Sequence, residues 1–178
     1  MSVTIRPIAV SQSLSLRQQV LHPSWPLEDQ QFPYDHLPST LHFGAFLEST
    51  PEPLEIDAVY WPEAGQSQQP IACLTLVHDT YTHAGPYNHI QTHIKLRKFA
   101  VLPSLQGRGI GRQLLEHGLD SLSSNSSRPT LVAPILLHFD ARTKQKGFYE
   151  KMGMVVLDEK VFINYGNIEY VRMGTVLE

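Results

Sequence analysis

The segment over residues 96–115 constrains the fold of this chain more than any other part of its sequence. Its letters are LRKFAVLPSLQGRGIGRQLL. The apolar stretch Ile94–Val101 predicts a strand that Pro103 closes. Apolar residues recur with a period of about 3.6 residues over Gly109–Leu122, which predicts an amphipathic helix. The segment therefore predicts a strand that enters a helix through the glycine-containing turn Gln106–Gly111.

Further strands and helices are predicted on both sides of this segment. Hydrophobic patterns predict strands at Val3–Ile8, Leu41–Leu47, Ile71–His78, Ile135–Phe139, Met154–Leu157 and Tyr170–Val176, with a further piece at Val161–Tyr165. Helices are predicted at Leu14–Leu21, with an apolar side at Leu14, Val20 and Leu21, and at Thr143–Met152, ended by Gly153 as a left-handed C-cap. The prolines of His22–Thr40 predict an irregular segment. This order predicts an α/β fold of α+β type, with a mixed central sheet of about six or seven strands flanked by helices.

Length and composition limit the kind of protein. A chain of 178 residues suits one domain over residues 1–178, with Glu48–Gln69 as an inserted loop that contains a small strand at Ile56–Trp61. The formal net charge of -3 does not favour nucleic acid as a partner. The single cysteine, Cys73, cannot form an internal disulfide. Neither a signal peptide nor an apolar run of about 18 residues is found, so we expect a cytoplasmic protein without membrane association.

The turn Gln106–Gly111 has the chemistry of an anion site. Backbone N–H groups at a helix start have no intrahelical partner, and the helix dipole favours negative charge there. The glycines let phosphate oxygens approach the backbone closely, and Arg108 and Arg112 add positive charge. The spacing matches neither a Walker-type loop nor a G-x-G-x-x-G dinucleotide motif. A glycine-rich turn without a ligand is the alternative interpretation.

These motifs resemble those of the GNAT superfamily of N-acetyltransferases. Gln106–Gly111 matches the family signature Q/R-x-x-G-x-G/A in full, and Phe99–Pro103 resembles the strand before it. Phe139–Arg142 and Gly147–Met154 are similar to the family's next strand and to its helix ending F-Y-x-x-x-G-F. Met154 stands where the family usually has Phe. Further similarity to a small subgroup of uncharacterised GNAT proteins lies at Leu16–Pro26 and Gly166–Met173.

The resemblance implies a GNAT-like sheet and direct attack of an amine on acetyl-CoA within a ternary complex. It implies that the N–H of Val101 polarises the thioester carbonyl. It also implies that Tyr149 is the general acid for the leaving thiolate, with a packed core aromatic as the alternative interpretation. The expected cofactor-binding residues are Phe99, Ala100, Val101, Gln106, Gly107, Arg108, Gly109, Ile110, Gly111, Arg112, Asp140 and Phe148.

The general base stays open at this stage. Two-residue alternation along the strand places His93, Lys95, Arg97 and Phe99 on one face. Protonated lysine and arginine are poor bases, and Arg97 is expected instead to bind an anionic group of the substrate or to form a surface ion pair. Other candidates for the base are His138, Asp140 and a water chain to solvent.

The predicted function is transfer of an acetyl group from acetyl-CoA to an amine of a small molecule or a peptide. A non-catalytic acyl-CoA-binding module and a nucleotide-binding protein are the alternatives. We expect no metal, because the spacing of His78, His83, His89 and His93 matches no usual ligand pattern. Cys73 is expected to be a core residue. The sequence leaves homodimer formation open.

Overall fold

The computed structural model describes residues 2–48, 69–83, 85–87, 89–123, 131–164 and 166–178. The predicted insertion, apart from its end residues Glu48 and Gln69, lies outside the described residues, as does the predicted strand Ile56–Trp61.

Seven strands form the sheet among the described residues. They are β1 (Val3–Pro7), β2 (Leu41–Leu47), β3 (Ala72–His78), β4 (Thr92–Val101), β5 (Ile135–Arg142), β6 (Val155–Asn164) and β7 (Ile168–Leu177). The α-helices are α1 (Leu14–Leu21), α2 (Ile110–Ser123) and α3 (Lys146–Glu150). The strand order is β1-β2-β3-β4-β5-β7-β6. Because β4 and β5 are parallel while β1–β2, β2–β3, β5–β7 and β6–β7 are antiparallel, the prediction of a mixed sheet is confirmed.

The chain divides into two compact units, of which the first comprises Met1–Leu76 and Arg97–Ser121. In this unit α2 lies directly against β3. A Cβ placed at Gly118 would lie 3.3 Å from a side-chain carbon of Leu74, so the helix approaches the strand closely. His117 meets the ring of Phe43 edge to face at 5.0 Å. Of the apolar residues of the predicted helix, Ile110, Leu114 and Leu115 in this unit are buried and Leu119 is half-buried, which confirms the amphipathic helix.

Helix α1 has the predicted bounds but a different buried face. The sequence predicted an apolar side formed by Leu14, Val20 and Leu21, whereas the fully or nearly fully buried residues are Leu14, Leu16 and Arg17. A buried guanidinium requires partners, because an unpaired charge is costly in the interior. Gln30 and Asp35, from the segment after α1, and Thr75 on β3 supply these partners, which no pattern in the sequence indicated.

The buried partner of Arg17 is Asp35. The two side chains are completely shielded from solvent and form a bidentate pair with N–O distances of 2.7 and 3.0 Å. Arg17 also donates to the carbonyl of Gln30 and to the hydroxyl of Thr75 on β3, each at 3.0 Å. This network fastens residues 22–40, an irregular segment with two 3₁₀ turns, onto the sheet.

The second unit comprises Val77–Leu96 and Leu122–Glu178. Its strand β6 runs without interruption from Val155 to Asn164, so the prediction of two separate pieces is wrong. The polar residues between the pieces occupy irregularities in the pairing with β7, and the N–H of Lys160 donates to the Asp158 carboxylate at 3.0 Å. Helix α3 is shorter than predicted, because a 3₁₀ turn precedes it, while Gly153 has the predicted positive φ of 78°.

Candidate active site

The glycine-containing turn lies between the end of β4 and the start of α2. A 3₁₀ turn over Pro103–Leu105 follows β4, and the side-chain amide of Gln106 donates to the carbonyl of Val101 at 3.0 Å. Gly107 and Gly109 have φ values of 75° and 81°, which an L side chain rarely adopts. Helix α2 begins directly afterwards at Ile110. We name residues 106–111 the cradle.

The backbone of the cradle is open to an incoming group. A Cβ placed at Gly107 would meet no atom within 4 Å, and one at Gly109 would meet only the amide of Gln113, at 3.9 Å. Both glycines are therefore required by backbone conformation and not by crowding. Ile110 is 1% exposed, so its side chain anchors the helix start in the core and only its backbone can face a ligand.

Two arginines give the cradle positive charge. Arg108 is exposed within the cradle, and Arg112 lies in the first turn of α2, where its Nε donates to Glu116 at 2.8 Å. An exposed ion pair of this i,i+4 type is weak, about 0.3–0.5 kcal/mol, so a ligand anion could compete for Arg112. The cradle thus combines open space beside its glycine backbone, a helix N-terminus and cationic side chains, as an anion site requires.

The end of β4 carries the residues that the resemblance assigns to the thioester. Ala100 is buried, whereas Phe99 and Val101 are half-buried. The carbonyl of Val101 accepts the Gln106 amide described above. After Val101 the chain leaves the strand, and the N–H of Leu102 donates to the carbonyl of Ile71 at 2.9 Å. The structure therefore brings Val101 and Gln106 into direct contact.

Strand β4 departs from regular geometry at Lys98, whose φ is 50°. The side chain of Arg97 lies over the ring of Tyr34 at 4.7 Å, and that of Lys98 lies over the ring of Phe32 at 3.8 Å. Consecutive residues of a regular strand point to opposite faces, so the two-residue alternation assumed from the sequence does not hold here. Lys98 was therefore missed as a candidate site residue.

The surroundings of Lys98 change its protonation. Its Nζ lies 3.0 Å from Nε2 of His22. Burial lowers the pKa of Lys98 to about 8, and the positive charge of Arg17 acts in the same direction. Its carbonyl accepts a hydrogen bond from the thiol of Cys73 at 3.4 Å. Burial raises the pKa of Cys73 to about 11, so this cysteine is an inert core residue, as its sequence context predicted.

Tyr149 lies in the second unit, on the short helix α3. Its side chain is buried, with the ring of Phe139 at 4.5 Å and that of Phe148 at 5.1 Å between centroids. Burial raises the pKa of Tyr149 well above its ordinary value, and Arg142 offsets this only in part. The phenol is therefore protonated throughout the physiological pH range and can serve as a hydrogen-bond donor.

The carboxylate proposed at the end of β5 is already paired. Asp140 lies 3.1 Å from the ammonium of Lys95 and 3.9 Å from Nε of Arg172. Lys95 also lies 3.9 Å from the carboxylate of Asp79. Both side chains are engaged in these ion pairs, so neither is a strong candidate for the general base.

The two histidines considered as bases are held in defined tautomers. The N–H of Tyr81 donates to Nδ1 of His93 at 2.9 Å, which leaves the proton of the neutral ring on Nε2. The ring of His138 lies 2.7 Å from the carbonyl of Asp79 through Nε2, which must be the donor because a carbonyl only accepts. Burial lowers the pKa of His138, so this ring is neutral at neutral pH.

Two further properties concern only the described part of the chain. Within it, no three His, Cys, Asp or Glu side chains come together as metal ligands would. Its helices are also too short or too polar to cross a lipid bilayer.

Solved structures of the same fold include several acetyltransferases. Arabidopsis thaliana NAA60 in complex with a bisubstrate analogue has 15% sequence identity and a TM-score of 0.68, over 99% of this chain and 100% of that one. Escherichia coli ElaA has 15% identity and a TM-score of 0.63, over 97% and 99%. The ribosomal-protein-S18-alanine N-acetyltransferase from Escherichia coli has 16% identity and a TM-score of 0.57, over 98% and 94%. At these identities the similarity shows the fold alone.

Sequence comparisons give the family. A search of curated proteins found no match. A family model described as an acetyltransferase (GNAT) domain matches residues 58–155, which is more than half of the chain and contains the whole cradle. The chain therefore belongs to the GNAT family of acetyltransferases.

Proposed function

We propose that this protein transfers the acetyl group of acetyl-CoA to an amine of a small molecule or a peptide. The observation that carries the proposal is the cradle, where two glycines with positive φ open the backbone at the N-terminus of α2. Arabidopsis thaliana NAA60, a neighbour in fold with a TM-score of 0.67, was solved in complex with acetyl-CoA. We further propose that residues 1–178 act as one acyltransferase domain.

In this proposal the cradle and Arg112 hold the pyrophosphate of acetyl-CoA. The contributing residues are Gln106, Gly107, Arg108, Gly109, Ile110 and Gly111. Phe99, Ala100 and Val101 lie along the pantetheine arm, and the N–H of Val101 donates to the thioester carbonyl. By family resemblance, Asp140 and Phe148 complete the proposed cofactor site. The Asp140 carboxylate stays paired with Lys95 in this role.

Tyr149 is proposed to stabilise the departing thiolate. A thiol has an ordinary pKa of about 8.5, well below that of the buried phenol, so full proton transfer from Tyr149 to sulfur is unfavourable. Tyr149 therefore acts mainly by donating a hydrogen bond to the negative sulfur as the C–S bond breaks. Arg97 is proposed to bind an anionic group of the acceptor, with its orientation set by stacking over Tyr34.

A thermal-shift experiment tests cofactor binding. Acetyl-CoA at 100 times its Kd should raise the free energy of unfolding by about 2.7 kcal/mol. Gly109→Ala should abolish this shift, since its Cβ enters the open cradle at an unfavourable φ. Gly166→Ala is the matched control, because Gly166 also has a positive φ, 76°, and open space, but lies between β6 and β7.

Catalysis is tested by thiol release from acetyl-CoA in the presence of a panel of amines and peptides. Release that depends on an amine supports the transferase. Binding of acetyl-CoA without release favours the non-catalytic module, and equal competition by ADP without any dependence on pantetheine favours a nucleotide-binding protein. Absence of a thermal shift at millimolar acetyl-CoA would contradict the proposal as a whole.

A further inference from the structure

Lys98 and Arg97 are neighbours on β4 whose side chains both contact the irregular segment 22–40. Lys98 lies over Phe32 and Arg97 over Tyr34, and these two rings are themselves stacked with centroids 5.3 Å apart. The left-handed φ of 50° at Lys98 breaks the alternation of the strand at this point. Such a conformation is uncommon in a residue other than glycine, and residues of this kind cluster at functional sites.

The polar partner of Lys98 is His22, which is itself held in place. The ring of His22 is stacked on Trp25, with centroids 4.4 Å apart and planes inclined by 16°. Its backbone N–H donates to the carbonyl of Arg17, and its carbonyl accepts from the N–H of Trp25. These contacts hold the imidazole ring in place, with its Nε2 3.0 Å from the Lys98 amine.

Because both partners are bases, their hydrogen bond exists in two protonation states. A protonated Lys98 donates to the lone pair on Nε2 of a neutral His22. A neutral Lys98 can donate one of its own N–H groups to the same lone pair, which leaves the amine lone pair free to accept a proton. Two positive charges at 3.0 Å would repel, so the pair favours a single extra proton.

Burial and nearby positive charges lower the pKa of Lys98 and so favour its neutral amine. Burial has the largest effect, followed by Arg17, and Arg97 acts in the same direction. Asp35 opposes them, but its carboxylate is committed to the bidentate pair with Arg17. The Cys73 thiol is protonated at neutral pH because burial raises its pKa. No carboxylate among the described residues forms an ion pair with Lys98 within 4.0 Å.

We propose that the Lys98 amine, paired with His22, is the general base that takes the proton from the attacking amine substrate. This assignment rests on the proposed acetyl transfer. Lys98 directly precedes Phe99–Val101, the segment proposed for the thioester. Lys95 and Asp140 pair with each other, whereas Lys98 has no carboxylate partner among the described residues.

The proton and electron balance of the step is as follows. The substrate nitrogen forms a bond to the acetyl carbonyl carbon, the C–S bond breaks, and its electron pair leaves on sulfur. The proton lost by the nitrogen goes to the lone pair of the neutral Lys98 amine, which donates an N–H to Nε2 of His22 before and after the transfer, so the His22 tautomer does not change. The thiolate takes a proton from solvent and Lys98 returns its proton to solvent, so no net proton is gained or lost by the enzyme.

Competitive labelling tests the protonation of Lys98 without any acceptor. Trace isotopic acetic anhydride at a series of pH values, followed by mass spectrometry, gives a titration midpoint for each of the six lysines, 95, 98, 144, 146, 151 and 160. The expected midpoint for Lys98 is about pH 8. A midpoint near the ordinary lysine value of about 10.4 would overturn the assignment.

The pH dependence of kcat tests the catalytic role, with the most active amine of the panel as substrate. Wild-type kcat should rise with pH through about 8 and then level off, because only the neutral amine accepts a proton. Lys98→Met keeps the apolar stem and removes the base, so kcat at pH 8.5 should fall by about 10²–10⁴-fold and the rise should disappear. The acetyl-CoA thermal shift should not change.

The controls separate a catalytic from a structural role. Lys160→Met, at an exposed position of β6, should retain wild-type kcat. His22→Gln should move the midpoint of the pH profile, an effect that a purely structural Lys98 would not show. Wild-type kcat in Lys98→Met would overturn the base assignment alone. A wild-type protein that binds acetyl-CoA but acetylates no amine would contradict the proposed function, and the base assignment with it.

Discussion

Replacing Arg17 by Met should destabilise the protein strongly while leaving the size of the side chain similar. The guanidinium and the Asp35 carboxylate are both 0% exposed, so the substitution leaves a buried carboxylate without its counter-ion. Breaking such a pair costs about 3–5 kcal/mol. The Nε of Arg17 is buried without a hydrogen-bond partner among the described residues, which favours the lower end, about 3 kcal/mol.

The assay is urea unfolding followed by circular dichroism, supported by a thermal melt. For a domain of this size each kcal/mol lowers Tm by about 2–4 °C, so Arg17→Met should melt roughly 6–12 °C below wild type. Lys146→Met removes an exposed pair with Glu150 and should cost no more than about 0.5 kcal/mol. A loss below about 1 kcal/mol in Arg17→Met would refute the view that this pair fastens residues 22–40 to the sheet.

Three further predictions concern catalysis, the insertion and pH. Tyr149→Phe should lower kcat by about tenfold with little change in acetyl-CoA affinity, because one hydrogen-bond donor is lost. If the variant keeps the wild-type kcat while the chemical step limits the rate, Tyr149 has only a structural role. Replacing residues 49–68 by a short turn should preserve the acetyl-CoA thermal shift, since their Pro, Gln and Glu content offers little apolar surface to bury. Between pH 8 and 10 the unfolded chain binds more protons at Lys98 than the folded chain, because burial lowers the pKa of Lys98 in the fold. The free energy of unfolding of the wild type relative to that of Lys98→Met should therefore rise with pH, which urea unfolding of both proteins would measure.

The parts of the fold that the sequence predicted well have strong local signals. Helix α1 ends at Leu21 as predicted, because Pro23 disfavours helical geometry in the residue before it. The cradle was predicted because glycines, a preceding strand and an amphipathic helix occur together in a short segment. Gly107, Gly109 and Gly153 all have positive φ, the property for which glycine is needed at such positions.

The parts that were missed depend on contacts between residues distant in sequence. Arg17 is polar and its pattern indicated a solvent-facing residue, but Asp35 and Thr75 supply the partners that make its burial tolerable. Two-residue alternation presumes a regular strand and therefore placed Lys98 on the face opposite Arg97. No local sequence signal predicts the left-handed φ of Lys98 that breaks this alternation. Strand β6 was predicted as two pieces because a polar stretch between them weakens the hydrophobic pattern. In the structure, pairing with β7 keeps the strand continuous through an irregular register.

The most direct test of the proposed function is detection of the acetylated product. Isotope-labelled acetyl-CoA would be incubated with the panel of amines and peptides, and the products would be identified by mass spectrometry. The proposal predicts a labelled amide with wild type and with Gly166→Ala, and none with Gly109→Ala. Binding of acetyl-CoA by the wild type without any labelled amide across the panel would contradict the central claim that this GNAT protein is an amine acetyltransferase.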